Sequence, residues 1–256
     1  MKLKGKVAMI TGAGQGIGEA YAKRFAAEGA TVVVADINVE KGQAVASALG
    51  APHRFERLDV SNEDDAKRVT QAVFDTFGKI DVLLNNAAIF YGIDNFDTSF
   101  AYLKKIFDVN YFGTWLMCRA AFPHIAKGGG GSVINQSSSA AWLHPEYPIL
   151  DDNLPSFHYS VTKAAINAMT HFMAGSVGKY NIRVNAIAPG PSTVSTLTCQ
   201  PGSRSRTAAH AGSPSGAVPW MDASRHAPRI ERTASICAFV MPPSGTFARR
   251  SQHESG

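Results

Sequence analysis

The sequence is poor in cysteine and contains no long hydrophobic run. Its three cysteines, Cys118, Cys199 and Cys237, are odd in number and lack the spacing of metal ligands, so they favour a reducing compartment and no bound metal. Arg119 interrupts the longest apolar candidate for a membrane span. The first residues also lack the apolar segment of a secretory signal peptide. We therefore expect a cytoplasmic protein with no membrane partner.

Lysine is absent after Val194, although twelve lysines precede that residue. The net charge of +5 comes mostly from seven arginines after Thr198, where only three acidic residues stand against them. A basic tail without a folded basic face supports a nucleic-acid partner only weakly. We expect no nucleic-acid partner and keep a nucleic-acid-binding tail as a distant alternative.

Strand and helix patterns alternate through the first 190 residues. The β-branched run at 31–35 is typical of a strand that is covered on both faces. The pattern at 62–77 predicts an amphipathic helix, and Asn62 or Ser61 is its expected N-cap. Further strands are predicted at 6–10, 53–58, 80–84, 133–135 and 182–187, and further helices at 17–28, 39–49, 98–126 and from Tyr159 to about 178. This alternation predicts an α/β fold with a single doubly wound parallel sheet.

A glycine-rich turn follows the first predicted strand. Gly12, Gly16 and Gly18 fit the pattern GxGxxG in no register, but they stand between a strand and a helix. Glycines there let the backbone approach a pyrophosphate, which the helix N-terminus stabilises. Tight strand-to-helix turns need glycine as well, so the loop alone is a weak signal. In this βαβ setting it favours dinucleotide binding.

Asp36 ends the second predicted strand. Its carboxylate can accept hydrogen bonds from a ribose diol and would repel a 2′-phosphate, and no arginine follows it directly. NAD is therefore favoured over NADP. The alternative is that Asp36 caps the next helix.

Tyr159 and Lys163 are four residues apart in a predicted helix, so their side chains share one face. A nearby ammonium favours the phenolate and would lower the pKa of Tyr159, which makes the pair a plausible acid–base device. For such a pair in isolation, a half-buried aromatic ring above a surface lysine is the more common situation.

These motifs occur together in a characteristic order. They are Thr11-Gly12-x3-Gly16-Ile17-Gly18, Asp59-Val60, Asn85-Asn86-Ala87-Ala88, Asn110, Ser138, Tyr159-x3-Lys163 and Pro189-Gly190. Across about residues 1 to 195 they resemble the short-chain dehydrogenase/reductase family. The resemblance implies a Rossmann-like domain, a nicotinamide cofactor, a small alcohol or ketone as substrate, and a homo-oligomer.

The resemblance also implies individual roles. Tyr159 would transfer the alcohol proton, and Lys163 would lower the pKa of Tyr159 and bind the nicotinamide ribose. Ser138, the second serine of the family's Asn-x-Ser-Ser pattern, would bond the substrate oxygen, and Asn110 would support a water relay to Lys163. The implied cofactor contacts are Gly12, Gly16, Ile17, Gly18, Asp36, Asp59, Val60, Asn86, Tyr159, Lys163, Pro189 and Thr193. For Asp59, a strand-end cap is an equal alternative to an adenine contact.

The sequence departs from the family pattern in three places. Ser138 and Tyr159 are 21 positions apart, more than is usual, and the extra residues at 142–155 either border a hydrophobic substrate pocket or form a surface loop. Ala88 replaces the usual glycine of Asn-Asn-Ala-Gly. After Val194 the sequence shows no pattern of the family's lid, next helix or last strand. Six of the 13 prolines lie there, and this composition leans towards disorder.

We accordingly divide the chain into a Rossmann-like dinucleotide-binding and catalytic domain at 1–195 and a divergent segment at 196–256, which is either disordered or the product of a frame shift. The expected function is that of an NAD-dependent oxidoreductase that transfers a hydride between NAD(H) and a secondary, hydrophobic (cyclic or aromatic) alcohol or ketone. Tyr159 is the expected proton acceptor and donor. The alternative is a catalytically impaired dinucleotide-binding protein with a truncated substrate pocket.

Overall fold

A computed structural model describes residues 1–90, 99–142 and 157–190, together with the backbone of 236–239. The strands are β1 (Val7–Thr11), β2 (Thr31–Asp36), β3 (Arg54–Arg57), β4 (Val82–Asn85), β5 (Gly131–Gln136), β6 (Ile182–Pro189) and β7 (Ile236–Phe239). They form one sheet in the order β3-β2-β1-β4-β5-β6-β7, and the first six strands run parallel. The predicted doubly wound α/β fold is confirmed.

The α-helices connect these strands, and their bounds agree with the predicted helices to within a few residues. They are α1 (Gly16–Ala27), α2 (Val39–Leu49), α3 (Glu63–Phe77), α4 (Phe100–Ile106), α5 (Gly113–Lys127) and α6 (His158–Val177). Asn62 is the N-cap of α3, because its Oδ1 accepts a hydrogen bond from Asp65 N at 2.9 Å. The helix predicted at 98–126 is interrupted by a π-helical turn, Phe107–Phe112, which separates α4 from α5.

Apolar side chains cover both faces of the sheet. On one face Met9, Val33 and Leu83 pack in a cluster with residues of α3, α5 and α6. On the other face Ile10 and Val34 pack against residues of α1 and α2. Alternate residues of a strand point to opposite faces, so a strand covered on both sides is apolar throughout. This explains the unbroken β-branched pattern of β2.

The last strand, β7, pairs antiparallel with β6, with Ala186 opposite Phe239 and Pro189 opposite Ile236. The sequence predicted no strand after Val194. An antiparallel neighbour does not require the helical crossover that parallel strands need, so the helix-and-strand alternation does not predict it. The rest of the 196–256 segment, and the extra residues 143–155, lie outside the described residues.

Within the described part of the chain, no helix combines the length and apolarity that crossing a membrane requires. Among the same residues, no three or more His, Cys, Asp or Glu side chains are grouped so that they could hold a metal ion.

Candidate active site

The glycine turn lies at the carboxyl end of β1, where the strand order reverses between β1 and β4. A Cβ on Gly18 would lie 2.0 Å from Gly12 O, so no side chain fits there. Gly16 has φ +59°, and a Cβ built on it would meet nothing within 4 Å. Ile17 follows in the first turn of α1, whose N-cap residue Gln15 makes no side-chain capping bond. The turn therefore presents an uncapped helix N-terminus beside open space, a setting that fits a pyrophosphate.

Asp36 connects this turn to the next helix. Its Oδ2 accepts a hydrogen bond from Gly14 N at 2.8 Å, and its Oδ1 accepts one from Asn38 N at 2.9 Å. Asn38 is the N-cap of α2, so Asp36 does support that helix start. Each carboxylate oxygen retains a second lone pair, which leaves the side chain able to accept bonds from a ribose.

The other residues implied to contact the cofactor have structural partners of their own. Asn86 Nδ2 donates to Thr11 O at 3.0 Å and to Gly12 O at 2.9 Å, which secures the glycine turn to the end of β4. Asp59 Oδ1 accepts a bond from Ser61 N at 3.0 Å, which is the geometry of a strand-end cap. Val60 is buried in the core cluster. For Asp59 and Val60, contact with adenine stays a prediction.

Two further cofactor contacts, Pro189 and Thr193, were predicted at and after the end of β6, and the structure describes only the first of them. Pro189 is the last residue of β6, at the same carboxyl edge of the sheet as the glycine turn. Thr193 lies outside the described residues.

Lys163 is buried beside Tyr159 in the first half of α6. It is 2% exposed, its Nζ donates to Gln136 O at 2.7 Å, and Nζ lies 5.4 Å from the centre of the Tyr159 ring. Burial lowers the pKa of Lys163 to about 7. The alternative of a surface lysine under an aromatic ring is therefore wrong, and the Lys163 amine lies at the carboxyl end of β5.

The neighbouring serines after β5 have different surroundings. Ser138 starts a short 3-10 turn and accepts a hydrogen bond from Ala140 N at 3.2 Å through its Oγ. Ser137 is buried, and its Oγ donates to Lys163 O at 3.0 Å. Ser137 thus secures α6 to the end of β5, a role that the family pattern did not indicate because its acceptor is a main-chain oxygen on another element.

Asn110 lies inside the π-helical turn and is fully buried. Its Oδ1 accepts a bond from Ile89 N at 2.8 Å, and its Nδ2 donates to Ile89 O at 3.2 Å and to Thr162 Oγ1 at 3.3 Å. The side chain therefore connects the segment after β4 to α6. The water relay to Lys163 stays a prediction. Next to Ile89, the Phe90 ring lies 4.6 Å from the Tyr159 ring, centre to centre.

A second polar network lies buried beneath this site. Asn135 Oδ1 accepts a bond from Asn85 Nδ2 at 2.9 Å, and Asn135 Nδ2 donates to Thr170 Oγ1 at 3.0 Å. Asn85 Nδ2 also lies 3.3 Å from Cys118 Sγ. Burial raises the pKa of the Cys118 thiol to about 12, so the thiol is neutral. The network connects β4 and β5 to α5 and α6.

Residues 6–201 match the sequence profile of the short chain dehydrogenases. The chain is 43% identical over 208 residues to an uncharacterized oxidoreductase of Mycobacterium tuberculosis, with 77% of each chain covered. It is 40% identical over 192 residues to a galactitol 2-dehydrogenase of Agrobacterium fabrum, with 74% of this chain and 72% of that protein covered. It is also 36% identical over 191 residues to a sorbitol dehydrogenase of Cereibacter sphaeroides, with the same two shares covered.

The chain therefore belongs to the short-chain dehydrogenase/reductase family and is an oxidoreductase of that family. The resemblance predicted from the sequence is confirmed. Members of the family use NAD or NADP, and the glycine turn of this chain has the geometry to accept such a dinucleotide.

Proposed function

We propose that the protein is an NAD-dependent oxidoreductase that interconverts a secondary, hydrophobic (cyclic or aromatic) alcohol and its ketone. The observation that carries the proposal is the buried Lys163 beside Tyr159, at the same sheet edge as the glycine turn. Burial of a lysine costs free energy, so a buried lysine indicates a functional site. A phenol next to that lysine is the group that proton transfer needs. Cys118 is a free, buried thiol, which supports a cytoplasmic location.

Each side chain of the site has its own role in alcohol oxidation. Bound NAD would supply the acceptor for the hydride from the carbinol carbon. Tyr159, as the phenolate, takes the proton from the alcohol hydroxyl, and the Lys163 ammonium stabilises that phenolate. Ser138 donates its hydroxyl hydrogen to the substrate oxygen, since its bond with Ala140 N uses only a lone pair. In ketone reduction the same proton returns from Tyr159 to the substrate oxygen.

The preference for NAD rests on Asp36. A carboxylate at the end of β2 accepts bonds from a ribose diol and repels a 2′-phosphate. Lys41 lies at the same edge, where its Nζ donates to Gln15 Oε1 at 2.5 Å, and a cation in this place would favour a 2′-phosphate instead. The decisive measurement is therefore the ratio of kcat/KM for NAD and NADP in one buffer. A preference for NADP would overturn this part of the proposal.

The substrate class rests on Phe90. Phe90 is 56% exposed and its ring lies against that of Tyr159, so an alcohol that reaches the phenol would also meet an apolar surface. The names of two relatives point instead to polyols. An absorbance assay of NADH formation should compare cyclohexanol and 1-phenylethanol with galactitol and sorbitol. Faster turnover of the polyols would overturn the hydrophobic substrate class but not the oxidoreductase chemistry.

The second candidate is a dinucleotide-binding protein with an impaired substrate pocket. It is favoured by the match to the family, which ends at residue 201, and by alignments that leave about a quarter of each relative uncovered. A fluorescence titration with NADH beside the turnover assay separates the two candidates. Binding without turnover of any alcohol would favour the second, and Tyr159→Phe is the control that should bind NADH without turnover.

A further inference from the structure

Thr162 lies in α6 between Tyr159 and Lys163 and is fully buried, with 0% of its surface exposed. Its Oγ1 donates to the main-chain Tyr159 O at 2.8 Å and accepts a hydrogen bond from Asn110 Nδ2 at 3.3 Å. A hydroxyl has one hydrogen to donate, so the bond to Tyr159 O leaves only its lone pairs for the amide. The Thr162 hydroxyl is thus the direct connection between the Asn110 side chain and the turn that carries Tyr159.

This connection also determines how the Asn110 amide is oriented. The oxygen faces Ile89 N, and the nitrogen faces Ile89 O and Thr162 Oγ1. A rotated amide would place its NH2 group against the Ile89 N–H and would lose the bond to the hydroxyl. One series of donors therefore runs from Ile89 N through the Asn110 amide and the Thr162 hydroxyl to the main-chain oxygen of Tyr159, while the Asn110 amide also donates back to Ile89 O.

The other end of this chain of bonds also reaches the phenol. Ile89 precedes Phe90, whose ring lies against the Tyr159 ring. The segment after β4 thus contacts Tyr159 twice: through the Phe90 ring and through Asn110 and Thr162. Loss of the Thr162 hydroxyl removes one of these two constraints on the phenol without touching the phenol, Lys163 or the glycine turn.

We propose that Thr162 is a positioning residue whose hydroxyl sets the location of Tyr159 for proton transfer by joining Asn110 to the first turn of α6. The proposal rests on the proposed function of Tyr159. Because Thr162 acts only through Tyr159, which transfers the proton, the loss should appear mainly in the proton-transfer step.

Thr170 provides a matched control on the same helix. It is also buried, 3% exposed, and its Oγ1 donates to Ile166 O at 2.7 Å. It too accepts a bond from an asparagine amide, that of Asn135. Thr162→Val and Thr170→Val therefore remove the same kind of hydroxyl bridge from α6, but only the first bridge reaches Tyr159.

The test is steady-state kinetics of both valine variants and of Thr162→Ser, with NAD and the best alcohol. We expect Thr162→Val to lower kcat about tenfold, because the loss of one hydrogen bond corresponds to about that factor in rate, and to change KM for NAD much less. The pH profile of kcat should shift as well. Thr162→Ser should recover most of the rate. Thr170→Val should lose thermal stability to a similar extent but keep kcat. Equal kcat for the two valine variants would overturn the proposal.

Hydrogen exchange keeps the proposal testable if the chain does not turn over an alcohol. Thr162→Val should speed amide exchange in a peptide covering the first turn of α6 and in one containing Ile89, and Thr170→Val should not. Absence of turnover in the wild type together with this exchange pattern would refute the proposed function alone. Unchanged exchange would refute the positioning role. If Thr162→Val does not fold, Thr162→Ala replaces it in both measurements.

Discussion

Lys163 is expected to lower the stability of the fold that holds it. Its pKa falls from 10.5 to about 7 because burial penalises the ammonium. Between these two values the unfolded chain binds more protons than the folded chain, so the wild-type free energy of unfolding rises with pH in that window. Below about pH 7 both states are protonated and the full penalty is present.

We therefore expect Lys163→Met to raise the free energy of unfolding at neutral pH by about 1 to 3 kcal/mol, after the lost bond to Gln136 O is counted. The gain should shrink as the pH rises toward 10.5, because the wild-type amine becomes neutral. Urea unfolding at about pH 6 and about pH 9 measures this difference. Lys104→Met, at an exposed site on α4, is the control without a pH-dependent gain. A gain that is equal at both pH values would contradict the expectation.

Gly18 should tolerate no side chain at all. A Cβ there meets the Gly12 backbone oxygen, which cannot move without opening the glycine turn. We expect Gly18→Ala to destabilise the protein by about 3 kcal/mol and to abolish NADH binding in the fluorescence titration. Gly175→Ala is the matched control, because its Cβ meets nothing within 4 Å in α6. Helix propensity predicts that this control gains up to about 1 kcal/mol. Similar losses in the two variants would refute the steric explanation.

The spacing of Tyr159 and Lys163 was enough to predict that they share a helix face, because helix geometry is local. The partner of Thr162 could not be predicted in that way. Asn110 is 52 positions away, and only the packing of the π-helical turn on α6 brings the two side chains together. Ser137 was missed for the same reason, since its acceptor is a main-chain oxygen on another element. Local patterns reveal which residues share an element, whereas tertiary packing decides their partners.

The start of α3 is a local feature that the sequence predicted correctly. Asn62 Oδ1 caps the helix, while Ser61 Oγ bonds to Asp59 instead. We expect Asn62→Ala to lower the free energy of unfolding by about 1 kcal/mol and Ser61→Ala by less than half of that. Thermal unfolding of both variants is the measurement. The assignment of the cap would be reversed if Ser61→Ala were the more harmful change.

The helix predicted at 98–126 shows where element prediction reaches its limit. Its extent is correct, but the π-helical turn at Phe107–Phe112 was not predicted, since one wide turn hardly disturbs an apolar repeat. The reason for the turn is tertiary: it brings Asn110 to Ile89 and Thr162. The pairing of β7 with β6 is likewise a tertiary feature, because a strand's own residues do not show which neighbour it pairs with or in which direction.

The outer surface of α5 and α6 carries the most exposed aromatic side chain of that helix pair. Phe172 is 72% exposed, and a groove of about 850 Å³ beside it is lined by apolar residues of both helices, including Trp115 and Met173. Exposed apolar patches of this kind mark association sites. The family resemblance predicts a homo-oligomer, so we propose that a second copy of the chain covers this groove.

A two-fold interface places the same patch of both copies in contact, so one substitution alters it twice. We expect Phe172→Asp to convert the oligomer to a monomer of 27.3 kDa, because each copy would bury a carboxylate in an apolar groove. Light scattering over a range of protein concentrations measures the mass. Phe100→Asp, at an equally exposed phenylalanine that starts α4 and does not line the groove, should leave the oligomer intact. Equal effects of the two variants would show that this groove is not the interface. A wild-type mass of one chain would show the same, and catalysis at Tyr159 would then have to be complete within a single chain.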